Sequence, residues 1–329
     1  MSSTSSSPGL PRILIVSPTL AAANTGNWHT ASRWAQMLRK HCRIGIADRW
    51  QGEPCDLLIA LHARRSSPSI AAFAQAQPQR PLIVVLTGTD LYRDIRNNAA
   101  AQRSLELASR LVVLQDQGPL ELAPALRSKC SVIYQSAPPL APVAAPRSVL
   151  RVVSVGHLRD EKDPLTFMRA AERLRLRTDI RFDQIGGTLD PVLEAAATRT
   201  AAICPNYRRI GNVSQPAARQ RIRRAQLLVN TSRLEGGAQV ILEAAQSGTA
   251  VLASHIPGNV GMLGPRHAGL FEVGDDAQLA RLIERARDDV VFLGTLREAT
   301  VARAPLFAPA EEERRLVTLL HSTLQATPP

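Results

Sequence analysis

The sequence predicts an α/β protein built of two Rossmann-like, doubly wound domains facing a central cleft. Its 329 residues are enough for two cores of ordinary size. Apolar runs of strand length alternate with helical stretches in both halves. A segment rich in Pro and Ala, 138–146, separates the two halves.

In the first half, the runs 12–17, 56–61, 82–86 and 111–114 are near-continuous Val, Ile, Leu and Ala, the pattern of parallel strands buried on both faces. The second half repeats the pattern at 151–155, 180–185, 206–210, 226–230 and 250–253, and a last amphipathic helix is expected over 309–325. The expected domains are a disordered tail at 1–10, a first domain at 11–137, a linker at 138–150, a second domain at 151–305 and a C-terminal segment at 306–329. Doubly wound sheets bind ligands beyond the carboxyl ends of their strands, so the active cleft is expected between the domains.

Composition narrows the function. The chain is 45% apolar, as a globular protein is, and no run approaches the length that spans a membrane. The first ten residues have neither the basic start nor the apolar core of a signal peptide, and a cytoplasmic setting is the default. Cys42, Cys55, Cys130 and Cys204 are widely spaced, suggesting neither a zinc site nor a disulfide framework. A net charge of +12 invites a nucleic-acid reading. The arginines are spread along helices and aromatic content is 4%, which argues against it and leaves small anionic substrates as the partners that benefit from such a field. No nucleic acid and no membrane is expected as partner; a homo-oligomer is left open.

The most informative segment is 230–245. A buried strand ends at Asn230, a polar turn follows, and a helix is expected from near Gly237. Glu235 and Glu243 stand eight residues apart around Gly236, Gly237 and Ala238, with Gln239 between. Glu243 sits among Val, Ile, Leu and Ala, where an ionised carboxylate needs several hydrogen-bond donors, and a ribose diol supplies them. The glycines let backbone N–H groups and the positive end of the helix approach a diphosphate. The structural alternative has Glu243 reaching solvent and the glycines making a turn.

A second segment, 152–165, reads as a strand, a turn at Gly156-His157-Leu158-Arg159 and a helix start near Lys162. The 40 basic residues include three lysines, Lys40, Lys129 and Lys162. A compact charge at Lys162, with Arg159 or His157, suits a diphosphate leaving group where no metal motif is visible. A solvated lysine is the alternative. The turn Gly211-Asn212-Val213 follows a strand and precedes a helix begun by Ser214-Gln215-Pro216, a candidate base-binding turn or an ordinary connection. Three polar loops end strands of the first half: Gly26-Asn27 with His29, His62 with Arg64 and Arg65, and Thr87-Gly88-Thr89-Asp90 with Arg93. Their donors suit a small phosphate-like anion, with surface charge or capping as the alternative, Asp90 above all.

The pair Glu235 and Glu243 with the 247–254 segment resembles the donor-site signature of the retaining glycosyltransferases of GT-B fold that use nucleotide sugars. Gly237 and Ala238 stand where that family has an aromatic residue and a glycine, and His157 stands where it has an arginine. The loops 61–66 and 86–92 are similar to those of the selenosugar synthases of selenoneine biosynthesis, a likeness spanning about 11–325. The resemblance implies selenophosphate as acceptor, UDP-N-acetylglucosamine or UDP-glucose as donor, and no cofactor, the UDP-sugar being a substrate. It further implies that Lys162 with Arg159 or His157 neutralises the diphosphate and that Glu235 orients the donor sugar or the cations. Gly211, Asn212 and Val213 would hold the base and Glu243 the ribose. Gly26, Asn27, Arg64, Arg65, Thr87, Gly88, Thr89 and Arg93 fall to the acceptor, and His29, His62 and Asp90 to acid–base work. A conventional hydroxyl acceptor is the second reading, and a basic nucleic-acid-binding protein a third, non-enzymatic one.

Overall fold

A computed structural model describes residues 9–18, 26–144, 148–188 and 190–326. Most of the expected tail and three residues of the expected linker lie outside this set. The chain divides into two units. The first holds residues 1–114, 118–133 and 312–329, the second 115–117 and 134–311.

The first unit is a six-stranded sheet of β1 (Arg12–Val16), β2 (Arg43–Ala47), β3 (Leu57–Leu61), β4 (Leu82–Val85), β5 (Arg110–Val113) and β6 (Cys130–Val132), ordered β2-β1-β3-β4-β5-β6 with every pair parallel. Period-two alternation sends Ile13, Ile15, Leu57, Ile59, Leu61, Ile83, Val85 and Val112 to one core, and Leu58, Ala60, Leu82, Val84, Leu111 and Val113 to the other. Four of these strands match the apolar runs of the sequence. β2 and β6 do not: they are part-exposed edge strands, β6 has three residues, and Arg43 and Gly45 break the apolar run in β2.

The helix Pro309–Gln325 has the bounds its periodicity predicts and closes one face of this sheet. Leu316, Leu319 and Leu320 join the core of Trp34, Leu38 and Ile15. Glu312, fully buried, receives the indole N–H of Trp34 at 2.7 Å and the Arg33 guanidinium at 2.9 Å. Removing this carboxylate strands both donors. Glu312→Ala is expected to destabilise the unit by about 3 kcal/mol, whereas Glu312→Gln keeps an acceptor for Trp34 and loses less. Urea unfolding followed by tryptophan fluorescence checks both, and an unfolding midpoint unchanged in Glu312→Ala would refute the role.

The second unit contains β7 (Leu150–Val155), β8 (Ile180–Ile185), β9 (Tyr207–Gly211), β10 (Leu227–Asn230), β11 (Ala250–Ser254) and β12 (Leu270–Phe271). Their order is β12-β11-β10-β7-β8-β9, again all parallel. Five were expected; β12, of two residues, is too short to show a pattern. The order reverses between β7 and β10 in this unit and between β1 and β3 in the first, the places where a doubly wound sheet opens a crevice beyond its strand ends.

Candidate functional site

In the second unit, the loops leaving β7 and β10 converge at that reversal. Lys162 lies in a short 3-10 turn, Asp160–Lys162, with its stem packed over Gly156. Its ammonium donates to Glu235 Oε1 at 2.5 Å. Three contacts clamp the loops: Thr231 Oγ1 donates to Lys162 O at 2.8 Å, Arg233 N donates to Glu161 O at 2.9 Å, and the Arg233 guanidinium stands 3.4 Å from Asp163. Asp163, buried and at φ 43°, takes the left-handed conformation between the turn and the helix Pro164–Arg173. Glu235 also accepts from Ser232 Oγ at 2.6 Å and Asn230 Nδ2 at 3.4 Å. Burial by itself would raise this carboxyl. The Lys162 charge and hydrogen bond, with Ser232 and Asn230, outweigh burial and hold it below the ordinary carboxylate range.

Gly236 and Gly237 form a bend, and the helix runs Gln239–Ala245, two residues later than the sequence suggests. The residue at its N-cap position, Ala238, has no side chain to cap it, and the glycines favour a bend over a first helical turn. Glu243 is buried in this helix and accepts from Gln239 Nε2 and Gln215 Nε2, both at 3.3 Å. The contact with Gln215 ties it to the turn after β9. There Gly211 ends the strand at φ 77°, a conformation that favours glycine, followed by exposed Asn212 and half-buried Val213. Ser214 occupies the N-cap position of the helix Gln215–Arg224, but its hydroxyl makes no capping bond. Gly187 lies between the β7 and β9 turns, where a side chain would be in ordinary contact with Asn212 Cβ at 3.5 Å and His157 Nδ1 at 3.7 Å. His157 and Arg159 are exposed, and neither makes a side-chain hydrogen bond or ion pair among the described residues. The fold thus gathers Lys162, Glu235, Glu243, His157 and Asn212 at one end of one sheet. Gln215 and Gly187 were missed by sequence reasoning; the glutamine carried no signal, and Gly186-Gly187 at a strand end carried one.

In the first unit, His62 follows β3 at φ 72°, a left-handed conformation rare outside glycine, and is buried. Its Nδ1 accepts from Arg65 N at 3.3 Å, so Nε2 carries the proton and donates to Thr89 Oγ1 at 3.1 Å. Burial lowers its pKa, Arg65 and Arg64 adding to the effect against Asp90 and Asp94, and the imidazole is neutral. Asp90 takes three backbone N–H bonds, from Ala63, Thr87 and Gly88, each at 2.9 Å. Both its oxygens are used in joining the β3 and β4 loops, which makes it a positioning residue; it does not cap the turn Asp90–Asp94, whose N-cap position is Thr89. Arg64 pairs with Asp94 at 2.9 Å, and Arg93 stands 3.7 Å from the same carboxylate. Arg65 is exposed with no ion-pair partner among the described residues. Asp94, unassigned from sequence, was signalled by its i,i+4 spacing from Asp90 in the π turn Asp90–Asp94. Gly26 and Asn27 begin a different element, the helix Gly26–Leu38 after β1, where His29 is half-buried with its pKa lowered by burial and by Arg33.

Among the described residues no group of three or more His, Cys, Asp or Glu is placed to hold a metal ion, and no helix is long and apolar enough to cross a membrane.

Residues 150–302 match the family Glycosyl transferases group 1. No curated protein matches the chain in sequence. Among solved structures, HepE of Anabaena in complex with UDP and glucose superposes with a TM-score of 0.73 at 15% identity, covering 95% of this chain and 100% of that one. Sucrose-phosphate synthase of Thermosynechococcus elongatus superposes with a TM-score of 0.78 at 15% identity, covering 96% and 100%. The pneumococcal O-GlcNAc transferase GtfA, in complex with UDP and GlcNAc, gives 0.65 at 16% identity, covering 80% and 57%. These likenesses show the GT-B fold.

Proposed function

From the premise that residues 150–302 are a group 1 glycosyl transferase domain, we propose that the protein transfers a sugar from UDP-N-acetylglucosamine or UDP-glucose to selenophosphate. Selenium attacks the anomeric carbon as the bond from that carbon to the UDP oxygen breaks. Water then cleaves the selenium–phosphorus bond, giving phosphate and a 1-seleno sugar. The observation that carries the donor half is the Lys162–Glu235 pair at the β7/β10 reversal, beside Glu243. UDP as donor nucleotide draws support from the UDP held by HepE and GtfA.

Lys162 neutralises the charge that grows on the leaving diphosphate, with Arg159 or His157 beside it, and Glu235 fixes the ammonium. Glu243, presented by Gln215 and Gln239, receives the ribose hydroxyls. Glu243→Ala is expected to weaken UDP binding by about 1–3 kcal/mol, measured by calorimetry, and equal affinity would remove it from the ribose.

The acceptor half rests on the His62 loops. An anionic nucleophile needs positioning rather than deprotonation. Arg65, Arg93 and Thr89 are donors for its phosphate, and His62, whose Nε2–H faces Thr89, is a donor in that tautomer rather than a base. Double replacement Arg64→Ala with Arg65→Ala is expected to raise the acceptor KM about tenfold or more with UDP binding kept; unchanged acceptor kinetics would place the acceptor elsewhere.

The deciding experiment is mass spectrometry of the protein incubated anaerobically with UDP-N-acetylglucosamine and selenophosphate, beside thiophosphate and acceptor-free controls. A product with the selenium isotope pattern and the mass of a seleno-N-acetylhexosamine, formed with UDP, supports the reading. Binding of UDP without that product sinks the selenium assignment and leaves the hydroxyl-acceptor transferase.

A further inference from the structure

A cavity of about 360 Å³ lies in the first unit between β6 and residues 314–322 of the last helix. Arg110 opens β5 and Lys129 immediately precedes β6, so the cavity begins at the amino ends of these strands. The loops holding His62 and Asp90 leave the carboxyl ends of β3 and β4, and the cavity shares no residue with them.

Its wall presents Arg110, Lys129, Arg314 and Arg315 and, among the described residues, no carboxylate. The cations are not equivalent. Lys129 spends its three hydrogens on the carbonyls of Leu105, Ala108 and Glu106, at 2.7, 2.7 and 3.2 Å, and lends the cavity charge alone. Arg315 is tied to Val132 O at 3.2 Å. Arg110 is half-buried and, among the described residues, makes no ion pair or side-chain hydrogen bond. The hydroxyl of half-buried Ser131, on the neighbouring strand, has no partner there either. Thr318 spends its hydrogen on Arg314 O at 2.9 Å and offers the cavity no donor.

Like charges gathered around one recess repel each other, and the repulsion is strongest where water is partly excluded. An anion relieves it. A guanidinium fork beside a hydroxyl donor, as at Arg110 and Ser131, matches phosphate oxygens in geometry, and the cavity is of small-molecule size. Arg110 and Ser131 supply donors from the sheet, and Arg314 and Arg315 add charge from the helix.

We propose that this cavity binds a small soluble ligand carrying two or more phosphate groups, held by Arg110 and Ser131 and drawn in by the charge of Lys129 and of the helix arginines. The site is separate from the residues assigned to donor and acceptor.

Inorganic pyrophosphate, titrated calorimetrically into the full chain, is the probe. Saturable binding is expected, weakened by added salt and lowered about tenfold by Arg110→Gln, as for loss of a charge-assisted hydrogen bond. Ser131→Ala tests the same wall with little risk to folding and is expected to weaken binding in the same direction. Lys162→Ala and the Arg64→Ala, Arg65→Ala double variant are expected to leave this affinity unchanged. Absence of binding, equal affinity in both Arg110→Gln and Ser131→Ala, or loss of binding in the Lys162 or Arg64/Arg65 variants would overturn the proposal. So would binding to phosphatidylglycerol vesicles with none to pyrophosphate, which would mark a lipid surface instead.

Discussion

Lys162→Ala is expected to lower kcat by about 10²–10³-fold, the loss typical when a preorganised group that stabilises transition-state charge is removed. The protein should remain folded, because the loop keeps its Thr231 and Arg233 clamps. The pH behaviour separates an electrostatic role from a structural one. With Lys162 present, the Glu235 carboxyl lies below its ordinary range. The pair therefore contributes stability that is fully present above that range and is lost only as pH falls through the lowered value. In the alanine variant burial is no longer outweighed, the carboxyl is pushed up, and an acidic limb should enter the rate profile at higher pH than in the parent. Wild-type turnover in Lys162→Ala would remove the residue from catalysis.

Gly186→Ala is expected to be the most damaging single methyl in the second unit. Gly186 sits at φ 143° where β8 ends, and a Cβ there would lie 1.9 Å from Gly156 O and 2.5 Å from Gly156 C. Backbone cannot rotate aside as a side chain can. Gly156 N bonds to Ile185 O at 2.9 Å and Gly186 N bonds to Gly211 O at 2.9 Å, so the added methyl drives β7 from β8 at the end that carries His157 and Lys162. A loss of about 3 kcal/mol is expected from overpacking and the strained conformation. At Gly187 the new methyl meets Asn212 at 3.5 Å, an ordinary contact, and stability should change little. Urea unfolding of the two variants side by side checks the contrast, and equal midpoints would refute it.

The legible part of this molecule is the part buried on both sides. β1, β3, β4, β5, β10 and β11 appear as apolar runs because parallel strands under helices have no polar face, while β7 and β8 each carry an exposed arginine, Arg151 and Arg181. β2, β6 and β12 have exposed edges or few residues and leave no such trace. Lys162 was legible through composition, a lysine in a chain of arginines, and Glu243 through a carboxylate among aliphatic residues. What sequence spacing does not carry is partnership across elements. Gln215 meets Glu243 from another helix, Asp94 meets Arg64 from another loop, and Asp90 reaches back 27 residues to Ala63. Such pairs exist only once the sheet order has been set. The late start of the helix at Gln239 has a local cause, two glycines followed by an alanine that cannot cap.

Glu312 and the leucines behind it have a consequence for biogenesis. Translation delivers β1 to β6 first, yet one face of that sheet, with Trp34 and Leu38, is covered by residues made some 180 positions after β6 (from Val132 to Glu312). A unit synthesised ahead of its neighbour in the chain is thus finished only after that neighbour has been made. During that interval an apolar sheet face is open to solvent, the condition in which nascent chains associate with each other or with chaperones. A ribosome stalled before residue 312 should hold a first unit that is protease-sensitive at Trp34 while its strands are already paired.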